Sequence, residues 1–156
     1  MEARVAHVEL SLSEAFVPQA RTSIEPEYGS SVELWSATVA AAAEPCLLID
    51  ADFAIVAVSE SACQLLGLGS PAEATGRSLL DGVLRLVDFT QARSELTETE
   101  IEKIPPLLAL SSGRLARGLL RVPAGGTPEA ATVDAIATPI SDEGTVSGSL
   151  TFFCEV

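Results

Sequence analysis

Histidine, aromatic residues, cysteine and positive charge are all scarce in this 156-residue chain, and each scarcity removes a class of function. The only histidine is His7, so neither a hydrolase built on a His base nor a His-rich metal site can be assembled in the body of the chain. His7 itself reads as a surface residue. Nine Lys and Arg stand against 22 Asp and Glu, a net charge of −13, and a chain so charged repels nucleic-acid phosphates. Nucleic acid is therefore not an expected partner. The longest uncharged run, Ser61 to Ala72, has 12 residues and contains Gly67, Gly69 and Pro71, whereas a membrane span needs about 20. No membrane association is expected. Glu2, Glu9 and Glu14 interrupt the start of the chain, which lacks a secretory pattern and points to the cytoplasm. Cys46, Cys63 and Cys154 are odd in number and show no C-x-x-C spacing, so they read as reduced, mostly buried thiols rather than a disulfide framework or a zinc site. No phosphate-loop or dinucleotide glycine motif occurs.

What remains suits one core with short appendages. Residues 1–30 form an extension, with Val8, Leu10 and Leu12 alternating in the period of a half-buried strand before the signal fades. Residues 31–44 form an amphipathic helix: Val32, Trp35, Val39 and Ala42 share a stripe, Ser31 can cap the start, and Pro45 stops it. Cys46 to Ile49 and Ile55 to Val58 are β-rich runs joined by the Asp50-Ala51-Asp52 turn. A short helix follows, capped by Ser59 or Ser61 and ended by Gly67. Ser70, Pro71 and Glu73 spell a second helix start with a capping box, and Thr97 with Glu100 spell another. Pro105-Pro106 restarts a helix that ends at Gly113. Beyond it the period changes to that of strands: Ala116, Gly118, Leu120 and Val122 on one face, then Ala131 to Ile140, then Val146 to Val156, the last two joined through Ser141 to Gly144.

This order, over residues 45–156, resembles the PAS family of sensor domains. The resemblance is carried by Cys46-Leu47-Leu48-Ile49-Asp50, by Ile55 to Ala62, by Leu65-Leu66-Gly67, by Ser70 to Leu79 with its Gly76-Arg77 pair, and by Ala137-Thr138-Pro139-Ile140 with Asp142, Glu143, Gly144 and Gly148. Two positions depart from the family pattern. Ser59 stands where many members have Asn, and Phe53 where they have Gly. The resemblance implies an α+β fold: a five-stranded antiparallel sheet with short helices on one face, here preceded by the amphipathic helix. It also implies a small pocket between sheet and helices. Family members that hold haem through histidine, or flavin beside a cysteine in an Asn-Cys-Arg-Phe-Leu-Gln segment, find no counterpart here, since Cys63 sits in Ala62-Cys63-Gln64 one helix earlier. No cofactor is expected.

The remaining chemistry is apolar. Leu66, Leu80, Leu84, Leu120, Leu150 and Phe152 are the expected lining of a pocket suited to a small aliphatic ligand, against the alternative of a filled core. The stripe of Val32, Trp35 and Val39 should dock on something apolar, either the domain's own sheet or a second copy, and it is the expected contact surface for a homodimer or a separate signalling protein. The acids Asp50, Asp52, Glu98, Glu100 and Glu102 lie in a turn or at a helix start and serve solubility. The expectation is a non-enzymatic regulatory module. Its rivals are a small cavity isomerase or hydrolase using Asp134 as base, with a pKa raised by desolvation if it points inward, and a purely structural dimerisation domain.

Overall fold

The computed structural model describes residues 29–80, 103–123 and 130–156. The alternation around Val8, the pocket candidate Leu84 and the Thr97–Glu100 pattern lie outside these residues.

A capping box opens the first helix, α1 (Ser31–Ala41): the Ser30 hydroxyl accepts from the Glu33 N–H at 3.3 Å, and the Glu33 carboxylate accepts from the Ser30 N–H at 3.0 Å. The cap thus falls one residue before Ser31, which becomes the first helical residue. The helix ends at Ala41 because Ala42 is already extended, ahead of Pro45. Strands β1 (Cys46–Asp50) and β2 (Ile55–Val58) form an antiparallel hairpin. Its turn is organised by Asp50, whose carboxylate accepts from the N–H groups of Asp52 at 2.9 Å and Ala54 at 3.0 Å. Phe53 takes a left-handed backbone, φ 65°, which explains why glycine is the family's choice there. Its ring packs on the main core, and that burial offsets a strain of about 1–2 kcal/mol.

Ser59 then caps α2 (Glu60–Leu66), and Gly67 ends it in the left-handed conformation, φ 67°. Helix α3 (Pro71–Ala74) has the full Ser70–Glu73 box, and α4 (Pro105–Ser112) begins at its proline pair and stops at Gly113, φ 66°. Three long strands follow: β3 (Ala116–Pro123), β4 (Ala130–Asp142) and β5 (Thr145–Glu155). Glu143 and Gly144, with φ 49° and 83°, make the two-residue turn between β4 and β5. Two positive φ values in succession match the twist of the flanking strands. The sheet has the order β2-β1-β5-β4-β3, every neighbouring pair antiparallel.

The two faces of this sheet are covered differently. On the inner face Leu47, Ile49, Leu120, Val133, Ala135 and Phe153 pack with Leu66 and Cys63 of α2, Ala74 of α3 and Leu107 of α4. On the outer face α1 lays Val32 and Val39 over Cys46, Leu48, Ala57, Ile140 and Leu150. Gly148 of β5 makes that approach feasible, since a Cβ there would come within 2.8 Å of the Val32 methyl and would also press on the Ile49 carbonyl.

One expectation about β5 is corrected. Its apolar set, Leu150 and Phe152, was assigned to the pocket side, yet both belong to the outer face, where Leu150 lies in the cluster under α1 and Phe152 is 45% exposed. Ser149, Thr151 and Phe153 point inward instead, all buried. A strand flips every side chain when its facing is misjudged by one residue, and β5 carries large apolar side chains on both faces. The Ser149 hydroxyl donates to the Pro106 carbonyl at 2.9 Å, so a small polar residue is what lets α4 lie close on the sheet.

Candidate functional site

The open part of the outer face is the most conspicuous surface of the molecule. Helix α1 sits mainly over β2 and β1, which leaves the β3 and β4 side of the outer face uncovered by any helix among the described residues. Phe152 pairs in register with Ile136, and Ile136 with Arg117, while Leu119 pairs with Asp134. Leu119 is 53% exposed, Phe152 45%, and Ile136 half-buried. At the border of this patch a groove of about 400 Å³ runs between α1 and β4, lined by Trp35, Thr138, Pro139, Ile140 and Leu150. Trp35, 45% exposed, stands over it, with Leu34 also exposed on the same helix.

Within the patch the charges cancel locally. The Arg117 guanidinium clasps Asp134 with Nε 3.1 Å from both carboxylate oxygens and Nη2 2.5 Å from Oδ2. Hydrogen bonding from Arg117 holds the Asp134 carboxyl below the usual carboxylate range. Asp134 therefore does not point into the interior, and the raised pKa that would have marked it as a base is reversed. The enzyme rival loses its proposed residue.

The contact surface expected on α1 divides in two. Val32 and Val39 are buried against the chain's own sheet, and only Trp35 of the three faces outward. An amphipathic stripe needs an apolar mate, and for the valines the sheet supplies it. Sequence reasoning missed the outward set on the sheet itself. Leu119 and Phe152 do alternate correctly within their strands, but nothing local tells that no helix among the described residues covers them.

Of the pocket candidates, Leu66 and Leu120 lie together in the inner core, Leu80 is 47% exposed, and Leu150 and Phe152 are on the far face. The inner face nevertheless carries one unusual group. The Thr151 hydroxyl is buried and has no hydrogen-bond partner among the described residues, which costs about 1–3 kcal/mol for an unsatisfied polar group. Cys46 and Cys63 are buried free thiols whose pKa values are pushed up by that burial, so neither is activated as a nucleophile. Among the described residues no three His, Cys, Asp or Glu side chains are grouped to hold a metal ion, and no helix is long and apolar enough to cross a membrane.

A sheet of this order, with short helices on one face and a docked helix on the other, defines the class as an α+β domain built on a five-stranded antiparallel sheet. The family model described as the PAS fold matches residues 33–117, more than half of the chain, and the chain belongs to the PAS family. PAS domains are typical of sensory signalling modules in histidine kinases and receptors. No curated protein sequence matches the chain. Solved structures with the same fold include a PAS domain from Colwellia psychrerythraea, at 14% identity and a TM-score of 0.55, covering 80% of this chain and 96% of that one. A LOV protein from Rhodobacter sphaeroides superposes at 16% identity and a TM-score of 0.57, covering 80% of this chain and 66% of that one. The VqmA dimer of Vibrio cholerae superposes at 16% identity and a TM-score of 0.55, covering 82% of this chain. The chain spans only 52% of that VqmA chain, and 58% of VqmA bound to DPO.

Proposed function

We propose that this PAS domain is a non-enzymatic sensory module that passes its signal by protein contact, and that the contact is with a second copy of itself across the open outer face of the sheet. The carrying observation is the patch of Leu119, Ile136 and Phe152 beside the outward ridge of Leu34 and Trp35. A two-fold interface sets one patch of each subunit against another patch of its mate, reciprocally. The described residues hold both halves of such a pair: a helix ridge and a sheet face that none of them covers. Charge favours the same occupant. A chain of net charge −13 repels its own copy over most of its surface, but at this patch Arg117 and Asp134 neutralise one another. Each buried Trp or Phe contributes roughly 150–250 Å², a substantial part of the ~800 Å² per partner that a stable interface buries. VqmA, one of the structural neighbours, is itself described as a dimer.

Light scattering on the full chain tests this reading. The wild type is expected at twice the chain mass, and Leu119→Asp with Phe152→Asp at the single mass with its circular dichroism retained. A monomeric wild type at tens of micromolar overturns it. Trp35→Ala is the suitable helix variant. Val39→Asp is not, because Val39 is part of the core beneath α1.

A small ligand is the second part of the proposal, supported by Thr151. A molecule lodged against the inner face would meet apolar surface from Leu66 and Leu120 and one hydroxyl in need of a partner. Native mass spectrometry of protein from its own source tests it: a bound small molecule is expected, and the bare chain mass refutes it. The buried free thiols Cys46 and Cys63 support a reducing, cytoplasmic setting, and the net charge supports a module that does not itself hold nucleic acid.

A further inference from the structure

The dimer reading makes the position of α1 decisive, and α1 is held to the sheet by few side chains. Of its eleven residues only Val32 and Val39 are buried, while Ala37, Ala40 and Ala41 face solvent. Its first turn is fastened from elsewhere in the fold. Asp142, the last residue of β4, accepts through Oδ1 both the Ser31 backbone N–H at 2.8 Å and the Ser31 hydroxyl at 2.5 Å. The carboxylate therefore caps, across 111 residues of chain, a helix that already has its own Ser30–Glu33 box. Adjacent to this contact, Val32 rests on Gly148, three residues past the start of β5. The start of α1 is thus held by both strands of one hairpin.

That hairpin also reaches the interior. Beyond Gly148, β5 alternates Ser149 and Thr151 on the inner face with Leu150 under α1. One strand separates the buried Thr151 hydroxyl, without a partner among the described residues, from the helix that borders the contact surface. We infer that Asp142 is a latch coupling the β4–β5 hairpin to α1: with the contact made, α1 lies closed on the sheet, and with it broken the helix is retained by its two buried valines and the Cys46 thiol against the Val39 carbonyl. The inference rests on the reading that α1 borders the dimer surface, and it names how that surface is regulated. Asp142 acts here as a positioning residue. Hydrogen bonds to a charged group are the stronger kind, and elements with few buried contacts are the first to open.

Hydrogen exchange by mass spectrometry on the full-length chain, comparing wild type, Ser31→Ala, Asp142→Ala and the double variant, tests the latch. Asp142→Ala removes both charge-assisted bonds to Ser31 and is expected to speed exchange of the α1 amides at least about tenfold, while β1 and β5 keep their protection. The double variant is expected to be no faster than Asp142→Ala alone, because both changes remove one interaction. Asp142→Asn, which keeps an oxygen for the Ser31 N–H, should restore most of the protection. Unchanged exchange of α1 in Asp142→Ala overturns the latch, and so does equal loss of protection in α1 and sheet, which would mark an ordinary stabilising contact. Light scattering on the same samples keeps the two readings apart. A monomeric wild type with a released α1 in Asp142→Ala sinks only the dimer, and a dimeric wild type with unchanged α1 sinks only the latch.

Discussion

Replacing Ser59 by alanine removes a single oxygen from the point where β1, β2 and α2 meet. That oxygen is fully buried and accepts from the Cys46 N–H at 3.0 Å and the Ala62 N–H at 3.2 Å, with the Ser61 hydroxyl 3.2 Å away. Loss of the helix cap costs about 1 kcal/mol. The Cys46 N–H, stranded without an acceptor in the core, adds about 1–3 kcal/mol. The total is about 2–4 kcal/mol, which at ~4 °C per kcal/mol for a chain of this length lowers Tm by about 8–16 °C. Urea unfolding followed by the fluorescence of Trp35, the chain's sole tryptophan, reads the change as a fall in midpoint at constant slope. Ser61→Ala is the control. Its hydroxyl donates to the Ala43 carbonyl at 2.8 Å from an exposed position, and its loss should cost about 0.5 kcal/mol. Ser59→Asn, whose amide oxygen can cap equally well, should stay within about 1 kcal/mol of wild type. A Ser59→Ala protein less than about 1 kcal/mol below wild type would refute the idea that this hydroxyl ties the hairpin to the helix.

Thr151→Val replaces a buried hydroxyl that has no partner among the described residues by a methyl of similar shape, so the free chain should gain up to about 1 kcal/mol in urea unfolding; a loss of more than about 1 kcal/mol would show that the hydroxyl is bonded. Asp142 supplies the pH dependence. Hydrogen bonding from Ser31 lowers its folded pKa, so its contribution is complete above the ordinary carboxylate value of about 3.9 and disappears as pH falls through the lower folded value. Urea midpoints between pH 6 and 3 should therefore fall less in Asp142→Asn than in wild type, and parallel curves would contradict this assignment.

Local signals in the sequence located most elements well. The Ser70–Glu73 box, the glycines that end α2 and α4, the proline pair opening α4 and the turn at Glu143-Gly144 all act through neighbours a few residues away, and the structure has them where their chemistry requires. Of the two departures from the family pattern, Ser59 does the capping expected of it, while the left-handed backbone of Phe53 shows only in the structure. The sites fared differently. Leu150 and Phe152 lie on the other side of β5 from the expected pocket, and of the two mates open to the α1 stripe, Val32 and Val39 take the chain's own sheet, which leaves only Trp35 of the expected contact surface exposed.

The amino-acid order alone determined the kind of fold, because periodicity, caps and turn residues act over one or two turns of chain and need no partner to be read. Which face of each strand became interior was decided only in three dimensions. A strand with apolar side chains on both faces carries no sign of which one will be interior, and β1 and β5 present such side chains to α1 as well as to the inner core. The union of Ser31 with Asp142 is likewise a product of the sheet order, which brings the end of β4 to the start of a helix more than a hundred residues earlier.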